Sequence, residues 1–208
     1  MLSTSTGNYD LRKWSIGSKN NIKIYFFLKE LFKKYKTVIR FVGLFMGTYL
    51  LMSVMYGLYL KASENGSYFP DFVTNLVARQ SSNVLGAFGH NSILVSDSIV
   101  QGMLLTIDNK YTVSIVEGCN SIGVIILFMA FVVAFAEDFK KTLLFLFAGA
   151  VLIYIVNILR IAILTVALYK YPQYENLLHS VVFPGIIYSM VFILWMIWVR
   201  MLKPNSAK

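Results

Sequence analysis

Thr142–Leu168, TLLFLFAGAVLIYIVNILRIAILTVAL, is an apolar run broken by a single charged residue, Arg160. As a helix rising 1.5 Å per residue it would be roughly 40 Å long, more than the ~30 Å of hydrocarbon in a bilayer, so it spans with a tilt or protrudes. Lys140 and Lys141 precede it, and the polar stretch Lys170–Ser180 follows. An arginine inside such a run is costly unless it has a partner or a water-filled cavity, which makes Arg160 a functional candidate by default.

Working outward, three further spans are expected. The second runs from about Asn120 to Phe135 and stops at Glu137 and Asp138; the fourth covers Val181–Leu202, with Pro184 tolerated near its start. Val38–Leu60 is the first, with Arg40 near its start and Lys61 at its end. Composition agrees: 57% of residues are hydrophobic and 14% charged, against about 25% charged in soluble domains. The fold class expected is an all-α membrane protein, a bundle of about four transmembrane helices. Continuous apolar runs argue against a β-barrel, whose strands alternate apolar and polar residues.

Residues 61–118 are too polar to span and form the one sizeable extramembrane region. Asp71–Phe88 reads as an amphipathic helix, while Gly102–Ile107 and Tyr111–Val116 alternate as a hairpin turning at Asp108 and Asn109. Met1–Lys19 is expected to be disordered. Ile22–Lys36 interleaves aromatic and basic residues at helical spacing, as an interfacial helix on anionic lipid does, or as a basic flank anchoring the first span does. The polar opening Met1–Asn21 has no apolar core with a small-residue cleavage site, so the first span is expected to act as its own insertion signal. The division that follows is a cytoplasmic tail with interfacial helix (1–37), the first span (38–60), an extracytoplasmic region (61–118), spans two to four (119–202) and a cytoplasmic tail (203–208).

The net charge of +9 is grouped beside apolar runs and not along one polar face, which favours membrane orientation over nucleic acid. Basic residues crowd the segment up to Arg40, the Lys140–Lys141 loop and the C-terminus, whereas 61–118 holds only Lys61, Arg79 and Lys110. By the positive-inside rule both termini lie in the cytoplasm of an inner-membrane protein, with 61–118 and 170–180 outside.

Three residues then fall at one depth. Cys119, Arg160 and His179 each lie roughly 27 to 32 Å along a helix from the cytoplasmic interface, near the outer surface. Cys119 is the sole cysteine, so no intrachain disulfide exists. Placed in the first turn of a helix, it would meet unpaired N–H groups that favour a thiolate. His179 suits a general base and acid, and Arg160 suits an oxyanion stabiliser. Each has a plainer reading alone: Cys119 as a small apolar filler, His179 as an interfacial side chain, Arg160 as an arginine snorkelling to phosphates. Glu117 either orients His179 or Arg160 or caps the helix, and Asn157, one turn before Arg160, either holds the guanidinium or bonds across helices. His90 reads as a loop residue, and Tyr154, Tyr169, Trp195 and Trp198 as interfacial belts or lipid packing. No phosphate loop or metal-ligand motif appears, so no cofactor or metal is expected.

Glu117-Gly118-Cys119-Asn120-Ser121-Ile122 opening one helix, Asn157-Ile158-Leu159-Arg160-Ile161 in the next, and His179 opening the last with Phe183 and Gly185 after it, resemble the exosortase/archaeosortase family of membrane-embedded sorting enzymes. The resemblance covers mainly Glu117–Arg200. It implies a catalytic triad of Cys119, Arg160 and His179, with Glu117, Asn120 and Asn157 in support. It also implies substrates: exported proteins bearing a C-terminal tripartite signal of motif, transmembrane helix and basic tail, cut at the outer face by a cysteine transpeptidase or protease. Members often have about eight spans, so this chain looks like a short, minimal one. Membrane lipid is the other expected partner, and nucleic acid is not one. Two other readings are a non-catalytic scaffold or partner subunit, in which Arg160 pairs with an acid on another protein, and a small transporter with Arg160 in an anion path, although broken mid-membrane helices are not evident.

Overall fold

The computed structural model describes residues 30, 33–64, 66, 68–97, 101–108, 111–136 and 138–202. The expected disordered tail, most of the interfacial helix, Asn109 of the hairpin turn and the C-terminal tail lie outside the described residues. The chain divides into two compact units, Met1–Gly43 and Leu44–Lys208; of the first, the structure describes only helical residues that end it. The described elements are helical for the most part, joined by one small sheet.

Helix α1, Lys36–Ser63, buries no residue. Its side chains Leu50, Leu51, Val54, Met55 and Leu58 are all more than half exposed, an apolar surface suited to lipid. Helix α2, Phe72–Ala87, starts where the Asp71 carboxylate accepts the N–H groups of Val73 and Thr74, at 2.9 and 3.1 Å. It buries Thr74, Asn75, Val77, Ala78, Ser81 and Leu85, the single stripe that 3.6-residue periodicity puts on one face. Gly89, at φ +82, supplies the left-handed residue that ends it, with the His90 N–H returning to the Leu85 carbonyl.

Three strands follow as an antiparallel meander: β1, Ser92–Asp97; β2, Gly102–Ile107; and β3, Tyr111–Ile115. The hairpin read from the alternation is β2–β3, with Leu105 opposite Val113. β1, opposite β2 with Ile93 facing Thr106, was not anticipated, because its outward Ile93 and Val95 are half exposed and blur the alternation. Met103, Leu105 and Ile107 point inward from β2 and pack with Val77, Ala78 and Leu85 of α2.

The remaining helices are α3, Ile122–Ala134; α4, Phe139–Lys170; and α5, Phe183–Leu202. Asp138 caps α4 by accepting from the Lys140 and Lys141 N–H groups. α1, α4 and the helical stretch Pro172–Leu202 that contains α5 are long and apolar enough to cross a membrane. α3 has 13 residues, roughly 20 Å, short of the ~30 Å core. The second span is therefore shorter than the sequence suggested, because the backbone turns at Ser121 (φ +65) and at Phe135 instead of remaining helical to both ends of the apolar run.

The bundle α3–α5 has two ends. At the end next to the α3–α4 loop, Phe128, Val132, Ile153, Val191, Leu194 and Trp198 form an apolar core. Gly149 of α4 admits the Phe128 ring so closely that a methyl group there would overlap it. Phe131 stacks on Trp195 at 4.4 Å and Phe145 on Trp198 at 4.8 Å. Trp198 is thus buried in this core, and Trp195 packs half-buried against it, through ring stacking that adds to the area each indole covers. At the other, capped end, Ile161 and Ala162 of α4 join the α2–sheet core. Tyr154 donates to Gln80 at 2.7 Å and Tyr169 to Asp108 at 3.3 Å, so these tyrosines pin the cap to α4.

Candidate functional site

β3 leads into α3 through a tight turn. Glu117–Cys119 is a single 3₁₀ turn in which the Cys119 N–H reaches the Val116 carbonyl at 2.8 Å. Asn120 follows, then Ser121 in the left-handed region, and α3 begins at Ile122. A non-glycine residue at positive φ carries backbone strain, tolerated where the surroundings hold it. Cys119 is therefore outside the first turn of α3, two residues earlier than the reading from sequence required. The Asn120 side chain caps the helix instead, its Oδ1 accepting the Ile122 N–H at 3.0 Å. Cys119 is a half-buried free thiol that packs against the α2–sheet core.

From α4, Asn157 reaches this turn. The side chain is fully buried, and its Nδ2 donates to the Cys119 carbonyl at 2.7 Å while its Oδ1 accepts from an Arg160 terminal nitrogen at 3.3 Å. One amide thus joins the cysteine backbone to the guanidinium, as helical i,i+3 spacing allows. Arg160 has five N–H donors, and its buried Nε has no partner among the described residues. A guanidinium with donors in reserve, one amide away from the cysteine backbone, is suited to receive developing negative charge.

His179 arrives from the other side. It lies in a π turn, Leu178–Val182, where the Phe183 N–H bonds to the Leu178 carbonyl five residues back. Pro184 accounts for the widening: it has no N–H to give the Ser180 carbonyl, and its ring clashes with a carbonyl four residues earlier in a regular helix. Leu178 packs with Val113, Leu164, Leu168 and Phe183, which seats the turn over α4 one and two turns beyond Arg160. The imidazole itself is exposed, and among the described residues it bonds to neither Cys119 nor Arg160.

Glu117 is exposed and, among the described residues, bonds to neither His179 nor Arg160. Desolvation, then Asp71 and Glu64 nearby, hold its carboxyl above the ordinary value of 4.5. It also lines a cavity of 480 Å³ beside the turn, walled by Tyr56, Leu60, Gly118, Val124 and Tyr188. His90 contacts Tyr169 edge-on at 6.4 Å, a loop residue as expected. No three His, Cys, Asp or Glu residues gather as a metal site among the described residues.

The structure thus brings Cys119, Asn120, Asn157 and Arg160 together and leaves the His179 imidazole exposed at the same end of the bundle, bonded to none of them among the described residues. Tyr56 and Thr74 escaped the reading from sequence. Both contact the Asn120 amide, at 2.7 and 3.0 Å, and the only trace in the sequence was a pair of tyrosines, Tyr56 and Tyr59, one turn apart in an apolar span.

These features define a polytopic membrane protein, three to four apolar helices with a polar site at the capped end of the bundle. The sequence model of the transmembrane exosortase family matches residues 39–199, and the chain belongs to that family. The match includes the first span and the α2–sheet region, which the motifs alone did not reach. No curated protein and no solved structure matches the chain.

Proposed function

We propose that this exosortase is a cysteine peptidase or transpeptidase that removes the C-terminal sorting signal of exported proteins at the outer face of the cytoplasmic membrane. Loop charges support an orientation with both termini in the cytoplasm and the capped end outside. The observation that carries the reading is the Asn157 amide joining the Cys119 carbonyl to the Arg160 guanidinium.

In this reading His179 takes the Cys119 thiol proton and the sulfur attacks the scissile carbonyl. Arg160 donates to the oxyanion that forms, an interaction present only once charge develops. As the C–N bond breaks, His179 returns the proton to the leaving amine. A thioester on Cys119 remains, and water or an acceptor amine resolves it with His179 again as base. His179 is exposed and unbonded to the thiol among the described residues; catalytic hydrogen bonds are often long or poorly aligned before substrate binds and tighten in the complex.

Replacing the nucleophile is the test. Cys119→Ala is expected to lower tail removal from tailed exported proteins at least about 10³-fold with the protein still in the membrane. A maleimide applied from outside is expected to label the wild type. Unlabelled Cys119 together with full activity of Cys119→Ala refutes the proposal. The unpartnered Nε of Arg160 favours a second reading, a partner subunit whose Arg160 pairs with an acid of another protein. That reading predicts a silent Cys119→Ala and an Arg160→Ala that breaks assembly.

A further inference from the structure

Asn120 is 1% exposed and engages every polar atom of its side chain. The Ile122 N–H can only donate, so the atom it meets at 3.0 Å is the amide oxygen and the orientation of the amide is fixed. Its two Nδ2 protons therefore lie toward the Tyr56 hydroxyl at 2.7 Å and the Thr74 hydroxyl at 3.0 Å.

Those two acceptors are themselves held in place. Thr74 sits in the first turn of α2 with its N–H on Asp71 Oδ1, and the same oxygen accepts the Tyr59 hydroxyl at 3.1 Å. Tyr59 stacks with Tyr56 at 5.9 Å, one turn away on α1. α1 buries none of its residues, yet Tyr56 reaches the turn at Cys119 through Asn120 and Tyr59 reaches the start of α2 through Asp71. The turn is thus gripped from both sides: Asn157 of α4 holds the Cys119 carbonyl, and Asn120, anchored on α1 and α2, holds the next residue.

We infer that Tyr56, with Thr74, is a positioning residue for the nucleophile, fixing the Cys119 turn through Asn120. The inference rests on the reading of Cys119 as nucleophile. Without the phenol, one buried Nδ2 proton has no acceptor and the strained turn at Ser121 loses one of its constraints. A small displacement of an attacking atom is enough to cost a large factor in rate. Neither Tyr56 nor Thr74 touches the reacting atoms.

The experiment uses the full chain in its native membrane, with two readouts: the rate of tail removal from the host's tailed exported proteins by pulse labelling, and the alkylation rate of the single cysteine by N-ethylmaleimide. Tyr56→Phe and Thr74→Val are each expected to slow tail removal about tenfold and to change the alkylation rate, at wild-type protein level. Thr74→Ser restores both rates. Because Tyr56 and Thr74 act on one amide, the double variant falls no further than Asn120→Ala. Wild-type rates in both Tyr56→Phe and Thr74→Val overturn the positioning role if Cys119→Ala is inactive. Full activity of Cys119→Ala overturns the nucleophile itself. Lost protein in Thr74→Ser as well as Thr74→Val shows a purely structural contact and also overturns the inference.

Discussion

The two ends of the α3–α5 bundle hold together by different means. At the loop end, Phe128, Phe131, Phe145, Trp195 and Trp198 interlock as rings, and neither indole N–H has a hydrogen-bond partner among the described residues. At the capped end, Asn120, Asn157 and Thr165 are all buried and hydrogen-bonded. Lipid is as apolar as the ring core, so association there depends on shape and close contact. A buried amide, in contrast, is costly unless its partners are in place, and therefore it fixes a backbone position. One end makes a scaffold; the other holds a strained turn still.

Perturbing each end separately sharpens the contrast. Trp198→Ala is expected to cost about 2–4 kcal/mol of stability through lost packing, measured by thermal unfolding in detergent, with tail removal per folded molecule nearly unchanged. Arg160→Ala is expected to do the reverse. Tail removal should fall about 10²- to 10³-fold, with a melting temperature near that of the wild type; a melting loss as large as that of Trp198→Ala would break the comparison. Gly149→Ala is a milder blow to the loop end, since the added methyl meets the Phe128 ring. It is expected to cost about 1–3 kcal/mol, and Phe128→Leu in the same chain should recover most of it.

Glu117 gives the smallest effect. Its carboxyl is raised by desolvation, Asp71 and Glu64, so the charged form is disfavoured in the folded protein. That penalty is absent below the ordinary value of 4.5, where the group is protonated folded or unfolded, and it grows as pH rises through the folded value. Glu117→Gln should therefore be slightly more stable than wild type at neutral pH, with the gap closing on acidification toward pH 4.5. A gap that widens instead contradicts the sign. The side chain is exposed, so the effect is small.

The long apolar runs announced α1, α4 and α5 because lipid demands continuous apolar helices, and the apolar stripe within Asp71–Phe88 announced α2. Helix rise put Cys119, Arg160 and His179 at one depth; the structure joins the first two through Asn157, while among the described residues His179 bonds to neither. Other features were hidden because they depend on backbone turns that apolar composition does not encode. Ser121 at positive φ puts Cys119 outside α3, and the π turn before Pro184 carries His179 on a wider turn than the helical count assumed. Tyr56 and Thr74 were invisible for another reason: their partner, Asn120, lies far away in sequence, and a tyrosine in an apolar span looks like any other. The stacking of Trp195 on Phe131 and Trp198 on Phe145 was likewise hidden, because it depends on which helices meet.

The most direct test of the account is a covalent one. Membranes of the native host, quenched in acid during active export, are expected to contain a fraction of this chain heavier by one exported polypeptide, joined through Cys119 and released by hydroxylamine as thioesters are. The adduct should be absent from Cys119→Ala. Its absence from the wild type while tails are still being removed, or its persistence in Cys119→Ala, would contradict the claim that the turn held by Asn120 and Asn157 presents a nucleophile.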